Sequence, residues 1–196
     1  VKPQLEKGIA FGTVPLTHAE TDSWPTYRNN PGRTGASTGQ APTELNLRWE
    51  VKMSTKASAP TIADGKVFVA DIDAHTVHAL DANDGRTLWS YTTGARVDSP
   101  PTLYNGHVLF GSRDGWVYCL RASDGALAWR FRGLPDNRWI CAYGQIESAW
   151  PVSGSVLVKD NVLYFAAGRN SFIDGGIWLF GLDPQTGSVI HQRHMY

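Results

Sequence analysis

The sequence predicts an all-β fold, a partial β-propeller of about three four-stranded antiparallel blades. The first observation is a repeat, because Trp49, Trp89 and Trp129 follow one another at intervals of 40 residues. A period near 40 with one Trp per unit is typical of propeller blades. The second is composition, since 196 residues include 20 Gly, 11 Pro and 8 Trp. This composition favours short strands, tight turns and packed aromatic rings.

Each repeat also carries hairpin signals. Two-residue turns that favour positive φ occur at Asp64-Gly65 and Asn105-Gly106, with a weaker version at Asp160-Asn161. Each turn precedes a short apolar run, as expected of a strand buried between neighbouring blades, at 66–70, 107–111 and 162–166. The next hairpin of the blade is predicted at Asp114-Gly115, and the one after it at Asp84-Gly85 and Asp124-Gly125.

An eleven-residue pattern that ends in Trp recurs at 79–89 and 119–129, and a third copy at 181–191 has His191 in the place of Trp. The glycine of each copy permits a left-handed turn. We expect each Trp to lie between adjacent blades with its indole N–H bonded to a backbone carbonyl. The residues with this predicted structural docking role are Trp49, Trp89, Trp129, Gly85, Gly125 and Gly187.

This pattern resembles the tryptophan-docking motif of the quinoprotein (PQQ-like) β-propeller repeat family. The copy at 79–89 matches well, whereas Cys119 and Arg121 depart from the motif in the second copy. The family includes PQQ-dependent dehydrogenases, the outer-membrane assembly lipoprotein propeller and uncharacterised bacterial repeat proteins. The segment 24–35 is similar to the opening of one such bacterial group. The resemblance implies a periplasmic or extracellular protein whose ring usually has eight blades.

The predicted organisation is a linker or N-terminal arm at 1–23 and a PQQ-like propeller segment at 24–196. A strand ends near Trp49, and the blades cover about 50–90, 91–130 and 131–191. Three blades leave two open edges, which natural proteins avoid. We therefore expect a fragment of an eight-bladed ring, or a chain whose copies associate. The partner is then the rest of the propeller, in the same longer chain or in a second copy.

Charge and hydropathy exclude several classes of function. There are 18 basic and 18 acidic residues and no basic run, so nucleic acid is not an expected partner. No apolar stretch reaches about 18 residues, so no transmembrane segment is expected. Residues 1–10 lack the charged and apolar regions of a signal peptide. Cys119 and Cys141 fit neither a disulfide framework nor a metal motif, and both are predicted to be buried thiols.

Seven of the eight candidate ligand-binding residues lie in the third blade, which carries two insertions at 133–144 and 168–176. Inserted loops on a rigid scaffold often carry function. Repeat alignment places Ala57, Asp98 and Glu147 at equivalent sites facing the channel mouth, near Lys56 and Arg96. Such a polar funnel could bind an anion or a metal with oxygen ligands; alternatively, the charges form structural ion pairs. The candidates are Asp98, Arg138, Gln145, Glu147, Trp150, Arg169, Asn170 and Asp174.

Three functions remain open. The first is a non-catalytic binding or scaffold module for a protein or small-molecule ligand, with no cofactor. The second, implied by the resemblance, is part of a PQQ- and Ca²⁺-dependent quinoprotein dehydrogenase. Its ligands would include Glu147, Asn170 and Asp174, although the adjacent cysteine pair of many such enzymes is missing. The third is a purely structural repeat of a larger surface protein. No catalytic residue is assigned, and the sequence leans against an enzyme.

Overall fold

The chain forms three antiparallel blades of four strands each in a computed structural model that describes residues 4–13, 23–40 and 43–196. This confirms the predicted fold class. The first blade contains β2–β5, the second β6–β9 and the third β12–β15. The strands are β1 (Gln4–Lys7), β2 (Thr61–Ala63), β3 (Lys66–Asp71), β4 (Thr76–Asp81), β5 (Thr87–Thr92), β6 (Thr102–Tyr104), β7 (His107–Gly111), β8 (Val117–Arg121), β9 (Leu127–Arg132), β10 (Trp139–Ala142), β11 (Gln145–Ser148), β12 (Leu157–Lys159), β13 (Val162–Ala167), β14 (Ile177–Leu182) and β15 (Val189–Met195).

The first turn of each blade has the backbone that its residues favour. Asp64 and Gly65 both have positive φ, as do the equivalent pairs in the second and third blades, Asn105-Gly106 and Asp160-Asn161. Paired positive φ values give a type I′ turn, whose twist matches that of the flanking strands. The strand that follows each turn is β3, β7 or β13, at the predicted positions.

The outer strands contact the next blade through their Trp residues. Trp89 Nε1 donates to the carbonyl of Ala122 at 3.1 Å, and Trp129 Nε1 donates to that of Pro184 at 3.2 Å. Gly125 lies directly under the Trp89 ring, where an added Cβ would meet Cδ2 at 2.7 Å. Each blade also has a β-bulge between its third and fourth strands, just before the turn that joins them. The bulges lie in the pairs β4/β5, β8/β9 and β14/β15.

Trp49 makes the same contacts without belonging to a strand. Its Nε1 donates to Ala82 O at 3.0 Å, and a Cβ on Gly85 would lie 2.6 Å from its ring. However, residues 43–55 form no strand in the part of the chain that the structure describes. The expected strand ending near Trp49 is therefore wrong, because this segment has no ladder partner among the described residues.

Two segments lie outside the three four-stranded units that the structure shows. Strand β1, within the expected arm at 1–23, pairs with the outer strand β9 as a fifth strand of the second sheet. Its Glu6 is 2.6 Å from Arg130, and Ala10 just beyond it is fully buried. Residues 14–22 of the expected arm lie outside the described residues. The insertion before the third blade folds as the hairpin β10–β11.

Strands β2, β6 and β12 lie at the inner edges of their sheets, since β6 contacts both of the others. Residues 23–36, here called the channel segment, cross these inner edges. Trp24 forms two backbone hydrogen bonds with Ile62, Pro25 O accepts from Leu103 N, and Arg33 donates to Ser155 O at 3.1 Å. No helix that is long and apolar enough to cross a membrane occurs among the described residues.

Candidate functional site

The candidate residues lie on the face formed by the turns between the second and third strands of each blade and the connections between blades. There, side chains from all three blades form a group of ion pairs, here called the three-blade cluster, which consists of Asp73, Arg96, Asp98, Arg113 and Glu147. Two guanidinium groups thus face three carboxylates.

Glu147 is the centre of the three-blade cluster. Its side chain is 1% exposed, and it accepts hydrogen bonds from Arg113 Nη1 at 2.8 Å and from Arg96 Nη2 at 3.3 Å. Arg113 also donates to Asp98. Burial acts to lower the pKa of Arg113, but its bonds to Asp98 and Glu147 outweigh burial and raise that pKa above its ordinary value. The cluster is therefore a network of ion pairs in which each carboxylate has at least one guanidinium partner.

The hairpin β10–β11 positions Glu147 and extends the cluster to the first blade. Tyr143-Gly144 forms the hairpin turn with positive φ at both residues. Gln145, the next residue, contacts His75 Nε2 through Oε1 at 2.8 Å and donates to Asp73 at 3.4 Å. The exposed Tyr143 ring lies 5.5 Å from the guanidinium carbons of both Arg96 and Arg113.

The remaining candidates belong to a second group of ion pairs, the insertion cluster, which consists of Arg138, Arg169 and Asp174. Arg138 Nη2 is 2.6 Å from Asp174, and Arg169 pairs with the other oxygen of the same carboxylate. The pairs join the two insertions of the third blade. These contacts fit the alternative interpretation, in which the charges of the inserted loops form structural ion pairs.

Among the described residues, two other candidates take part in no ion pair, the buried Trp150 and the exposed Asn170. Trp150 is 4% exposed and packs in the core, with Arg138 5.1 Å above its ring. Asn170 accepts the backbone N–H of Phe172 and so closes its own loop. The eight candidates therefore separate into the three-blade cluster with Gln145, the insertion cluster with Trp150, and Asn170 alone.

Sequence reasoning missed Asp73, His75 and Arg113. The repeat itself could have indicated Asp73 and Arg113, because the two residues are 40 positions apart, one repeat period. They occupy the turns between the second and third strands of two consecutive blades, beside the predicted Asp98. Applying the repeat alignment to these turns as well would have found both residues.

The two cysteines differ. Cys119 is buried in β8, but Cys141 is exposed on the hairpin β10–β11. The prediction of two buried thiols is therefore wrong for Cys141. The reason is that Cys141 belongs to an insertion whose outer face packs against nothing among the described residues, as Ile146 opposite it is also exposed.

The described residues do not fit the Ca²⁺ and PQQ of the dehydrogenase alternative. Calcium is held by six to eight oxygen ligands, several of them carboxylates. Glu147 and Asp174 belong to different clusters, and each is already bonded to two guanidinium groups. No group of three His, Cys, Asp or Glu residues suited to a metal ion occurs within 4–13, 23–40 and 43–196. An anionic quinone would also meet more carboxylates than guanidinium groups in the three-blade cluster.

The blades and their inter-blade Trp contacts define a propeller segment built from PQQ-like repeats. Comparison with known proteins gives the family. Residues 39–196 match the family described as outer membrane protein assembly factor BamB, and the chain belongs to this family.

The relatives include two kinds of protein. The outer membrane protein assembly factor BamB of Escherichia coli K12 is 37% identical over 81 residues, 36% of this chain and 20% of the relative. The dehydrogenase subunit of the quinone alcohol dehydrogenase of Gluconacetobacter polyoxogenes is 25% identical over 199 residues, 89% of this chain and 26% of the relative. The chain thus spans about a fifth to a quarter of the length of these relatives.

A solved structure supports the fold alone. The quinohemoprotein alcohol dehydrogenase ADHIIG of Pseudomonas putida HK5 superimposes with a TM-score of 0.68 at 19% identity. The match covers 89% of this chain and 27% of that protein. The similarity therefore extends over nearly all of this chain and a minor part of the larger propeller.

Proposed function

We propose that this chain is a non-catalytic binding or scaffold segment of a longer PQQ-like propeller outside the cytoplasm. One observation carries the proposal: the charged carboxylates of the candidate site are paired with arginines, and the buried Glu147 pairs with two of them. A general acid or base needs a carboxyl group that can exchange a proton with a substrate. Here the same groups hold three blades together. The compartment rests on relatives named as outer membrane assembly factors.

Exposed apolar side chains on the third-blade insertions support a binding role. Tyr143 is 82% exposed, Ile146 65% and Phe172 91%. Large exposed apolar side chains grouped on one face often mark interaction sites. The ion pairs beneath them fix the loops that present them, so a partner would meet a rigid surface. We propose a protein partner for this face.

Site-specific photo-crosslinking tests the scaffold role. A photoreactive phenylalanine analogue replaces Phe172 in the protein at its full natural length, expressed in its native cells. A matched control carries the analogue at Lys159, which is exposed on the third blade near the other end of the strands. We expect one defined crosslinked protein from position 172 and none from 159. No crosslink at position 172 would leave the purely structural repeat as the better reading.

The second candidate is a segment of a quinone-dependent dehydrogenase, favoured by the alignment of 89% of the chain to such an enzyme. Titration of the full-length protein with PQQ, with and without Ca²⁺, distinguishes the two by tryptophan fluorescence. We expect no saturable quenching. Stoichiometric quenching that requires Ca²⁺ would overturn the scaffold proposal and place the cofactor ligands elsewhere in the ring.

A further inference from the structure

A cavity of about 650 Å³ lies between the channel segment and the first turns of all three blades. The turns contribute Asp64, Asn105 and Asp160, and the channel segment contributes Pro25 and Asn29. Small-molecule sites typically enclose about 300–1,000 Å³, so the cavity is large enough for a ligand. It lies at the opposite end of the strands from the three-blade cluster, and a ligand here is independent of the proposed scaffold role.

The inner wall of the cavity is mainly apolar. Pro25, Leu103, Tyr104 and Val158 line it. Two of its polar groups already satisfy each other, because the hydroxyls of Thr26 and Thr102 are 2.9 Å apart. Thr102 also donates to Val156 O at 3.2 Å. The wall therefore suits the aromatic or aliphatic body of a ligand, which gains free energy by leaving water.

The charged groups of the lining are two carboxylates and one ammonium. Asp64 and Asp160 line the cavity, and within the described residues no Lys, Arg or His nitrogen lies within 4 Å of either carboxylate. The Lys66 ammonium lies close by, but it donates to the backbone carbonyl of Asp64 at 3.2 Å. Lys159, the one cationic side chain of the lining, is exposed. Carboxylates that form no ion pair can still attract a positively charged group of a ligand. The lining thus differs from the three-blade cluster, where arginines neutralise the carboxylates.

His107 adds a polar group to the wall without adding positive charge. It is 5% exposed, and its Nδ1 has no hydrogen-bond partner among the described residues. Burial lowers the pKa of His107, although the neighbouring Tyr104 backbone acts in the opposite direction. A lowered pKa favours the neutral ring, which does not repel a cation.

From the volume, the apolar wall and the unpaired carboxylates, we propose that this cavity is a binding site for a small organic cation with an aromatic or aliphatic body. The ammonium or guanidinium group would lie near Asp64 or Asp160, which belong to the first turns of different blades, and the body against Leu103 and Pro25. The cationic group and the apolar body of the ligand thus contact different parts of the cavity, so the two contacts can be tested separately.

The test titrates the 196-residue chain with phenethylammonium and, as the matched probe, with 3-phenylpropionate, which has the same ring and the opposite charge. Saturation-transfer NMR and calorimetry report binding. We expect phenethylammonium to bind saturably and phenylpropionate to bind at least about tenfold more weakly. Equal affinities, tighter binding of the anion, or no binding of the cation would each overturn the proposal.

Variants then locate the site. Asp64→Asn with Asp160→Asn removes both charges and keeps residues that tolerate the positive φ of these turns. We expect this pair to weaken phenethylammonium binding about tenfold. The control Asp84→Asn neutralises an exposed turn carboxylate outside the cavity and should leave affinity unchanged. Ala63→Phe, which places a ring in the cavity, should abolish binding. Thermal unfolding verifies that each variant is folded, and an unchanged affinity in the double variant would contradict the proposal.

Discussion

The second and third blades contain the same four-stranded unit, yet they bury it differently. Every residue of β7 in the second blade is buried, and β1 covers the outer strand β9. In the third blade, six of the seven residues of β15 are exposed. His191, in this strand, occupies the position at which the other repeats have Trp. The third blade also carries the hairpin β10–β11 and the insertion cluster. In this chain the second blade is therefore packed against a blade on each side, whereas the third blade is packed against one blade and carries the inserted loops.

The largest effect should come from the Trp that joins the two blades. Trp129 is fully buried and donates to Pro184 O. Trp129→Ala should lower the free energy of unfolding by about 3–5 kcal/mol, because it leaves a large cavity between the sheets. Trp49 is the equivalent residue before the first blade and is only half-buried. Trp49→Ala should therefore lower the free energy of unfolding clearly less than Trp129→Ala. Urea unfolding of both variants measures the difference, and equal losses would argue against the comparison.

Breaking the three-blade cluster should lower the free energy of unfolding more than breaking the insertion cluster. Glu147→Gln leaves two guanidinium groups without their buried carboxylate and should cost about 3 kcal/mol. Asp174→Asn breaks pairs with partly exposed arginines and should cost less than about 1 kcal/mol. Chemical unfolding of the two single variants tests this order. A larger loss for Asp174→Asn would make the insertion cluster the main support of this face.

Strand β1, which pairs with the outer strand of the second blade, should be displaced by one added methyl group. A Cβ on Gly8 would lie 2.2 Å from Leu127 O, so Gly8→Ala should displace β1 from β9 at a cost of about 1–2 kcal/mol. Hydrogen exchange should then be faster at the amides of the β1–β9 ladder and unchanged in β13 and β14. Gly32→Ala, whose added Cβ meets only side-chain atoms beyond 3.2 Å, is the control. Retained protection of β1 would show that the arm tolerates the methyl group.

The smallest effect concerns reactivity alone. Burial raises the pKa of the Cys119 thiol in the second blade, whereas Cys141 on the third-blade hairpin is exposed. N-ethylmaleimide should therefore add once to the folded chain at pH 7, and the label should map to Cys141. In denaturant both cysteines should react. Labelling of Cys119 in the folded protein, measured by intact mass and peptide mapping, would mean that the second blade opens.

The sequence by itself determined the repeat and the residues that contact between blades. The turn pair Asp64-Gly65, the strand after it and the spacing of Trp89 from Gly125 are local or strictly periodic features, so they can be read without coordinates. The family follows from the same periodicity. Candidate residues such as Asp98 and Glu147 could be proposed because the repeat places them at equivalent positions.

Only the tertiary structure decided what those side chains contact. Glu147 meets Arg113 and Arg96 because separate blades bring them to one face, and no spacing in the chain encodes that pairing. The pairing of Gln4–Lys7 with β9 was equally hidden, since a four-residue strand has too few positions for a periodic signal. The fit of a cofactor depends on whether carboxylates are free or paired with arginines. That balance is set by contacts between blades, and the sequence lists the charges without their partners.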